Sequence, residues 1–155
     1  MKDDRGLQTG GSTSPQARRQ ASPSNRILVV DDDRELRLLS AAVLVRSGYQ
    51  VDTAEDGAAG WATLHANSYD LLITDNNMPK LSGVELVKKV RSARIALPVI
   101  LASGALPTEE LNRHPWLQLA ATLVKPFYSG QLLETVNEVL AQPTVFAAAP
   151  GSASR

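Results

Sequence analysis

The chain has 155 residues, of which 43% are hydrophobic and 21% are charged, and this composition fits one globular domain with modest extensions. It contains no cysteine, which excludes disulfides, thiolate metal sites and thiol nucleophiles. Its 16 basic and 16 acidic residues cancel, no apolar run approaches the roughly 18 residues of a membrane span, and the first residues lack the apolar core of a signal peptide, so we expect a cytoplasmic protein without membrane contact.

The composition changes at both ends of the chain. Residues 1–25 are rich in Gly, Ser, Thr, Gln and Pro, and residues 141–155 are rich in Ala, Ser, Gly and Pro. Because such segments bury too little apolar surface to offset the entropy of ordering, we predict a disordered tail on each side of a domain over residues 26–140. This domain holds 11 basic and 14 acidic residues and no basic stripe, which disfavours direct binding of nucleic acid.

Five apolar runs of strand length alternate along this domain with five segments of helical periodicity. The predicted strands cover residues 26–30, 49–54, 70–75, 97–102 and 121–124. The predicted helices cover residues 34–47, 57–66, 83–92, 107–113 and 128–140. This alternation predicts a parallel α/β sheet with helices on both faces, and right-handed crossovers then place the carboxyl ends of all strands along one edge.

Helical periodicity also predicts which side chains face the core. In the first helix these are Leu36, Leu39 and Val43, and in the second they are Trp61 and Leu64. The third and fifth helices have inward positions at Val84, Val87, Val90, Leu132, Val136 and Val139.

Polar residues stand at the ends of four of the five strands. Asp31 and Asp32 follow the first strand, Asp75 ends the third, Ser103 follows the fourth, and Lys125 follows the fifth. Each has an ordinary structural explanation when taken alone. In an open α/β sheet, however, ligands bind in the crevice beyond the carboxyl ends of the strands. We therefore predict that these five side chains converge on one site.

The chemistry of these side chains favours a divalent cation and a phosphoryl group. Three carboxylates within a few ångströms oppose one another's ionisation, and an all-oxygen ligand set favours Mg²⁺, or Mn²⁺, over zinc. Lys125 could neutralise a phosphoryl oxygen and Ser103 could donate a hydrogen bond to another. Because the chain has no glycine-rich phosphate loop for a nucleotide, Asp75 itself is the predicted nucleophile, which would form an acyl phosphate.

The motifs together resemble the receiver domain of two-component response regulators. They are ILVVDDD at 27–33, DLLITDNNMP at 70–79, SG at 82–83, PVILASG at 98–104 and LVKPF at 123–127. The resemblance implies a flavodoxin-like (βα)5 three-layer sandwich with strand order 2-1-3-4-5. For the site it implies Asp75 as the phosphoacceptor, Ser103 and Lys125 as contacts of the phosphoryl group, a cis peptide bond before Pro126, and Mg²⁺ bound by Asp31, Asp32, Asp75 and the backbone carbonyl of Asn77.

The same resemblance implies the partners. The phosphoryl donor would be a sensor histidine kinase or a histidine phosphotransfer protein, and a downstream protein would respond to phosphorylation. Such a domain is not an enzyme beyond catalysing its own phosphorylation and dephosphorylation. Since no output domain follows Leu140, we expect a stand-alone regulator that acts through protein contacts, or as an intermediate or sink in a phosphorelay.

The chain departs from the family pattern at two positions. Thr122 stands three residues before Lys125, where family members usually have Tyr or Phe, and Pro115 shortens the fourth helix. We therefore expect phosphorylation to displace the loop of residues 103–107 and the short helix after it, rather than to turn an aromatic ring.

Two other classes of function are disfavoured by residues at the strand ends. A flavodoxin-like FMN-binding protein would need a hydroxyl-rich phosphate loop at the position of residues 31–33, where three acids would repel the cofactor. A Mg²⁺-dependent phosphohydrolase would have a second acid two residues after Asp75, where Asn77 stands. A flavin absorption spectrum would reveal the first class, and turnover of phosphate esters would reveal the second.

Overall fold

The computed structural model describes residues 25–142, which contain a five-stranded sheet and five α-helices. The strands are β1 (Arg26–Val30), β2 (Gln50–Ala54), β3 (Leu71–Asp75), β4 (Val99–Ser103) and β5 (Ala121–Val124). The helices are α1 (Arg34–Arg46), α2 (Gly57–Ala66), α3 (Gly83–Ser92), α4 (Thr108–Arg113) and α5 (Ser129–Ala141), with a 3₁₀ turn at Pro115–Leu117.

All strands are parallel and lie in the order β2-β1-β3-β4-β5, which confirms the predicted flavodoxin-like topology. From β1 the chain crosses to β2, toward one edge of the sheet, and from β3 it crosses to β4, toward the opposite edge. The boundary between β1 and β3 is therefore the topological switch point, where ligands bind in open α/β sheets. Asp31 directly follows β1 and Asp75 is the last residue of β3.

The core lies in two layers, one on each face of the sheet. Side chains alternate between the faces along a strand. Leu28 and Val30 of β1 therefore pack with residues of α2 and α3, whereas Ile27 and Val29 pack with residues of α1 and α5. Every residue of β3 and of β4 is buried. The end of β3 therefore lies in a fully buried part of the sheet.

The core positions predicted for α2, α3 and α5 are confirmed. Leu64 is buried, and Trp61 is partly buried against the same cluster. The residues predicted from α3 and α5 are also buried, namely Val84, Val87, Val90, Leu132, Val136 and Val139.

The prediction for α1 was wrong at Leu39 and only partly right at the other two positions. Leu39 is 56% exposed and Leu36 and Val43 are half-buried, whereas the buried positions are Ser40 and Leu44. The helix is apolar on several sides, so its periodicity fits more than one orientation. Near the start of the helix, the guanidinium of Arg37 donates a hydrogen bond to the backbone carbonyl of Asp31 at 2.8 Å, which links α1 to the end of β1.

The remaining differences concern the ends of elements. β2 and β3 begin one residue later than predicted, β4 begins two residues later, and β4 extends to Ser103. Helix α4 ends at Arg113, and Pro115 begins the 3₁₀ turn, as its missing N–H permits. Most of both predicted tails lies outside the described residues, so the domain boundaries stay predictions. None of the helices between residues 25 and 142 is long and apolar enough to cross a membrane.

Candidate functional site

Three carboxylates meet at the switch point of the sheet. Asp31, Asp32 and Asp75 each offer one oxygen, and these oxygens lie within 4.8 Å of one another. Asp31 and Asp75 are buried, with 6% and 5% of their surface exposed, whereas Asp32 is exposed. The cluster therefore has a buried floor and a side that is open to solvent.

Lys125 joins two of these carboxylates. Its Nζ lies 3.1 Å from Oδ2 of Asp31 and 3.1 Å from Oδ1 of Asp75. The end of β5 directs the lysine into the site. The backbone N–H of Lys125 donates to the carbonyl of Ser103 at 2.9 Å. The Lys125–Pro126 peptide bond is cis, as the resemblance predicts.

The pKa values of the buried pair follow from this geometry. Burial raises the pKa of Asp75, the charge of Asp31 adds to the rise, and the hydrogen bond and charge of Lys125 oppose it. Burial alone would lower the pKa of Lys125, but the hydrogen bonds and charges of Asp31 and Asp75 outweigh it and raise that pKa. Lys125 is therefore held as a cation. Three acids and one lysine leave an excess of negative charge that a divalent cation would offset.

The loop after β1 fixes the orientation of Asp31. Its Oδ1 accepts the backbone N–H of Asp33 at 2.9 Å, which leaves Oδ2 directed at Lys125. The Asp33 side chain accepts the N–H of Leu36 at 3.1 Å and so acts as the N-cap of α1. Within residues 25–142, the carboxylate of Asp32 has no hydrogen-bond partner, and it faces the open side of the cluster. This arrangement fits an oxygen-ligated Mg²⁺.

Ser103 lies at the carboxyl edge of the sheet, but its hydroxyl is turned into its own loop. The residue is completely buried at the end of β4. Its Oγ donates to the carbonyl of Ala105 at 2.9 Å and accepts the N–H of Ala105 at 3.3 Å. Thr122 is exposed on the edge strand β5, next to Leu101 of β4. No ring therefore lies at this position beside the Ser103 loop.

Asn77 is exposed in the loop between β3 and α3, two residues after Asp75. This loop turns back on itself, because the carbonyl of Asn76 accepts the N–H of Met78 at 3.0 Å and that of Gly83 at 3.0 Å. A Cβ at Gly83 would overlap the carbonyl oxygen of Asp75, so the return requires glycine. The turn thus fixes the path of the loop in which Asn77 lies.

Two residues that shape the site were not predicted to do so. Arg37 holds the backbone at Asp31, and the side chain of Asn76 accepts a hydrogen bond from the start of α3. For Asn76 a signal existed, since Asn is a common capping residue and here directly follows a strand. For Arg37 there was none, because a basic residue in the first turns of a helix usually faces solvent.

Comparison with known proteins agrees with this geometry. A family model described as a response regulator receiver domain matches residues 27–137. Similar curated proteins include the alkaline phosphatase synthesis transcriptional regulatory protein PhoP of Bacillus subtilis, 32% identical over 131 residues that cover 83% of this chain and 53% of PhoP. The transcriptional regulatory protein CpxR of Klebsiella pneumoniae is 38% identical over 118 residues, which cover 75% of this chain and 49% of CpxR. The chain spans about half the length of these relatives.

Solved structures show the same similarity. The chemotaxis response regulator CheY4 of Vibrio cholerae matches with a TM-score of 0.68 and 32% identity, over 75% of this chain and 98% of that one. The response regulator protein TrrA of Thermotoga maritima, solved in complex with Mg²⁺ and BeF, matches with a TM-score of 0.66 and 33% identity, over 74% of this chain and 98% of TrrA.

Proposed function

Because this chain belongs to the receiver-domain family of response regulators, which are phosphorylated on an aspartate, we propose that Asp75 is its phosphoacceptor. One observation carries the proposal. Asp75 ends the central strand β3 with Lys125 Nζ 3.1 Å from its Oδ1 and with two further carboxylates beside it. A carboxylate that needed only burial would not be placed with two other acids at the open edge of the sheet.

The reaction is the transfer of a phosphoryl group from a phosphohistidine. A carboxylate oxygen of Asp75 forms the new P–O bond, the P–N bond to the donor imidazole breaks, and the electron pair of that bond stays on the imidazole nitrogen. The carboxylate must be ionised to attack, and burial opposes ionisation. Lys125 favours the ionised form through its hydrogen bond and its charge. It thus offsets part of the effect of burial on this carboxylate.

The carboxylates of Asp31, Asp32 and Asp75 and the backbone carbonyl of Asn77 would hold Mg²⁺. The solved structure of TrrA contains Mg²⁺ with BeF, which supports the same ion here. When bound, Mg²⁺ would neutralise charge that the carboxylates and the phosphoryl oxygens bring together. Mn²⁺ has the same preference for oxygen ligands and is a second candidate.

Lys125 and Ser103 would respond to the new charge at Asp75. The ammonium of Lys125 already bridges Asp31 and Asp75, so a small shift would bring it to a phosphoryl oxygen. The hydroxyl of Ser103 would first have to release the carbonyl of Ala105 before it could donate to the phosphoryl group. This exchange of partners would loosen the loop that leads to α4.

A sensor histidine kinase or a histidine phosphotransfer protein would be the donor, and a downstream protein the receiver of the signal. The chain would catalyse only its own phosphorylation and dephosphorylation. The relatives PhoP and CpxR are transcriptional regulators about twice as long as the matched region. Stand-alone action in the cytoplasm, without direct binding to nucleic acid, stays a prediction from the sequence.

Titration with beryllofluoride and Mg²⁺ tests the proposal, since beryllofluoride mimics a phosphoryl group on a carboxylate. We expect beryllofluoride to shift the amide NMR signals around Asp75, beyond any change that Mg²⁺ alone causes, only when Mg²⁺ is also present. Asp75→Asn should abolish the shift. Asp70→Asn is the matched control, because Asp70 precedes the same strand at its opposite end and accepts the N–H of Arg26 at 2.7 Å. A shift that survives in Asp75→Asn would refute the assignment.

A further inference from the structure

The loop between β3 and α3 is closed by a side chain that the proposed chemistry does not use. The side-chain Oδ1 of Asn76 accepts the backbone N–H of Val84 at 3.0 Å. Beside it, the N–H of Gly83 donates to the backbone carbonyl of Asn76 at 3.0 Å. The residue after Asp75 is thus bonded twice to the first turn of α3. The segment between these bonds, residues 77–82, begins with Asn77.

Asn76 forms hydrogen bonds with both the sheet and helix α3. Its backbone N–H donates to the carbonyl of Ala102 at 3.2 Å, which continues the pairing of β3 with β4. Helix α3 already has a separate cap, because Ser82 accepts the N–H of Glu85 at 3.1 Å and Glu85 accepts the N–H of Ser82 at 2.9 Å. The Asn76 bond is therefore not needed to begin the helix. It fixes where the helix begins relative to the end of β3.

The rest of the loop is constrained in the same sense. The close approach of Gly83 to the carbonyl of Asp75 leaves no space for a Cβ. Lys80 has a φ of 73°, which non-glycine residues rarely adopt, and its Nζ lies 3.5 Å from Oδ2 of Asp56 at the start of α2. A rare backbone conformation persists only where the surroundings hold it.

We propose that Asn76 is a positioning residue for the metal site, whose side chain holds the carbonyl of Asn77 beside Asp75 before Mg²⁺ binds. The inference rests on the proposed function, because it requires that the carboxylate cluster binds Mg²⁺. A loop that is already closed loses less conformational entropy when one of its carbonyls becomes a ligand. An amide also suits this position, because it accepts the Val84 N–H without adding a fourth negative charge next to three carboxylates.

Two alanine variants separate this role from helix capping. Asn76→Ala removes the bond to Val84, and Ser82→Ala, the matched control, weakens the cap of the same helix without touching that bond. Mg²⁺ affinity is measured from the amide NMR signals of residues 75–77, and opening of the bond from hydrogen exchange of the Val84 amide.

We expect Asn76→Ala to weaken Mg²⁺ binding by about tenfold, the lower end for groups that orient metal ligands, and to speed exchange at Val84. Ser82→Ala should keep the wild-type affinity within about twofold, with a melting temperature lower by a few degrees. Equal losses of affinity in both variants would mean that Asn76 only caps the helix, and would overturn the inference.

Asn76→Asp keeps the acceptor oxygen and covers the case in which the alanine variant does not fold. It should retain slow exchange at Val84 and bind Mg²⁺ at least as tightly as the wild type. Weaker Mg²⁺ binding by Asn76→Asp, or wild-type Mg²⁺ affinity in Asn76→Ala, would overturn this inference but not the proposed function. A wild-type chain that binds no Mg²⁺ would instead overturn the proposed function.

Discussion

The ammonium nitrogen of Lys125 lies 3.1 Å from Oδ1 of Asp75. The same nitrogen lies 3.1 Å from Oδ2 of Asp31, so one cation joins the proposed phosphoacceptor to a proposed metal ligand. Charge added to Asp75 therefore acts directly on Lys125, which follows β5. An acyl phosphate would add charge of roughly −1.5 to −2, by analogy with other phosphorylated side chains.

Lys125→Ala should still accept a phosphoryl group, but phosphorylation should have weaker consequences outside the pocket. The lysine is the group that pairs with the new charge, and β5 carries it. The measurement is the number of amide NMR signals beyond the pocket that shift with Mg²⁺ and beryllofluoride. Lys89→Ala is the control, since Lys89 lies over the ring of Trp61 at 5.7 Å, outside the carboxylate cluster and away from α4. Unchanged distant shifts in Lys125→Ala would contradict this role.

Gly83→Ala should destabilise the fold, because a Cβ there would overlap the carbonyl oxygen of Asp75. We expect the free energy of unfolding to fall by about 1–3 kcal/mol, as for other overpacked positions. Gly130→Ala in α5 is the matched control. Its new Cβ would meet nothing within 4 Å, so the helix should gain about 0.5–1 kcal/mol. Urea unfolding of both variants measures the difference, and equal effects would show that the contact with Asp75 is relaxed in solution.

Tyr69 should titrate far above its ordinary pKa of 10.0. Burial, the hydrogen bond to Asp52 at 2.6 Å and the charge of Asp52 together raise the pKa of Tyr69 to about 12, although the charge of Arg26 opposes the rise. A pKa that is raised in the folded state gives stability below pH 10 that is lost as the pH rises toward 12. Carbon-13 NMR of labelled tyrosine measures the pKa, and Asp52→Asn should lower it. A midpoint near 10 in the wild type would contradict the interaction.

We expect phosphorylation of Asp75 to act on distant parts of the domain through a relay formed by the loop after β4 and the short helix α4. None of the side chains of α4 is buried, and the ion pair of Lys88 with Glu110 ties it to α3. The end of the following 3₁₀ turn is fixed more firmly, since the guanidinium of Arg91 donates to the carbonyl of Leu117 at 2.8 Å. Movement is therefore expected between Ser103 and that turn.

Trp116 lies in the 3₁₀ turn, partly buried against the core, and can report this movement. In a Trp61→Phe background, its fluorescence should change when Mg²⁺ and beryllofluoride are added together. Addition of either reagent alone is the control. A constant fluorescence, with NMR shifts confined to the surroundings of Asp75, would leave the relay without support.

The parallel sheet and the convergence at the site could be predicted because two simple signals agree, whereas the strand order was implied only by the resemblance to receiver domains. Apolar runs marked the buried strands, and a charged or hydroxyl residue marked the carboxyl ends of the strands that line the site. Parallel connectivity then left only one edge where Asp31, Asp75 and Lys125 could meet. Their distances depend on side-chain rotamers, and those came only from the structure.

Two kinds of feature were beyond the sequence. The face that α1 turns to the core was ambiguous, because residues 38–45 are almost uniformly apolar and several orientations bury similar surface. Bonds from a side chain to the backbone across a loop were also hidden. The contact of Asn76 with Val84 and the turn of Ser103 toward Ala105 both depend on loop conformations that periodicity does not encode.

Phosphotransfer from acetyl phosphate, followed by mass-spectrometric mapping of the modified peptide, tests the central claim most directly. With Mg²⁺ present, we predict a single modified residue, Asp75, and no modification after the metal is removed with a chelator. Asp32→Ala and Asp75→Asn should both abolish the acyl phosphate. Full labelling of Asp75→Asn, or a phosphoryl group mapped to another residue of the wild type, would contradict the account.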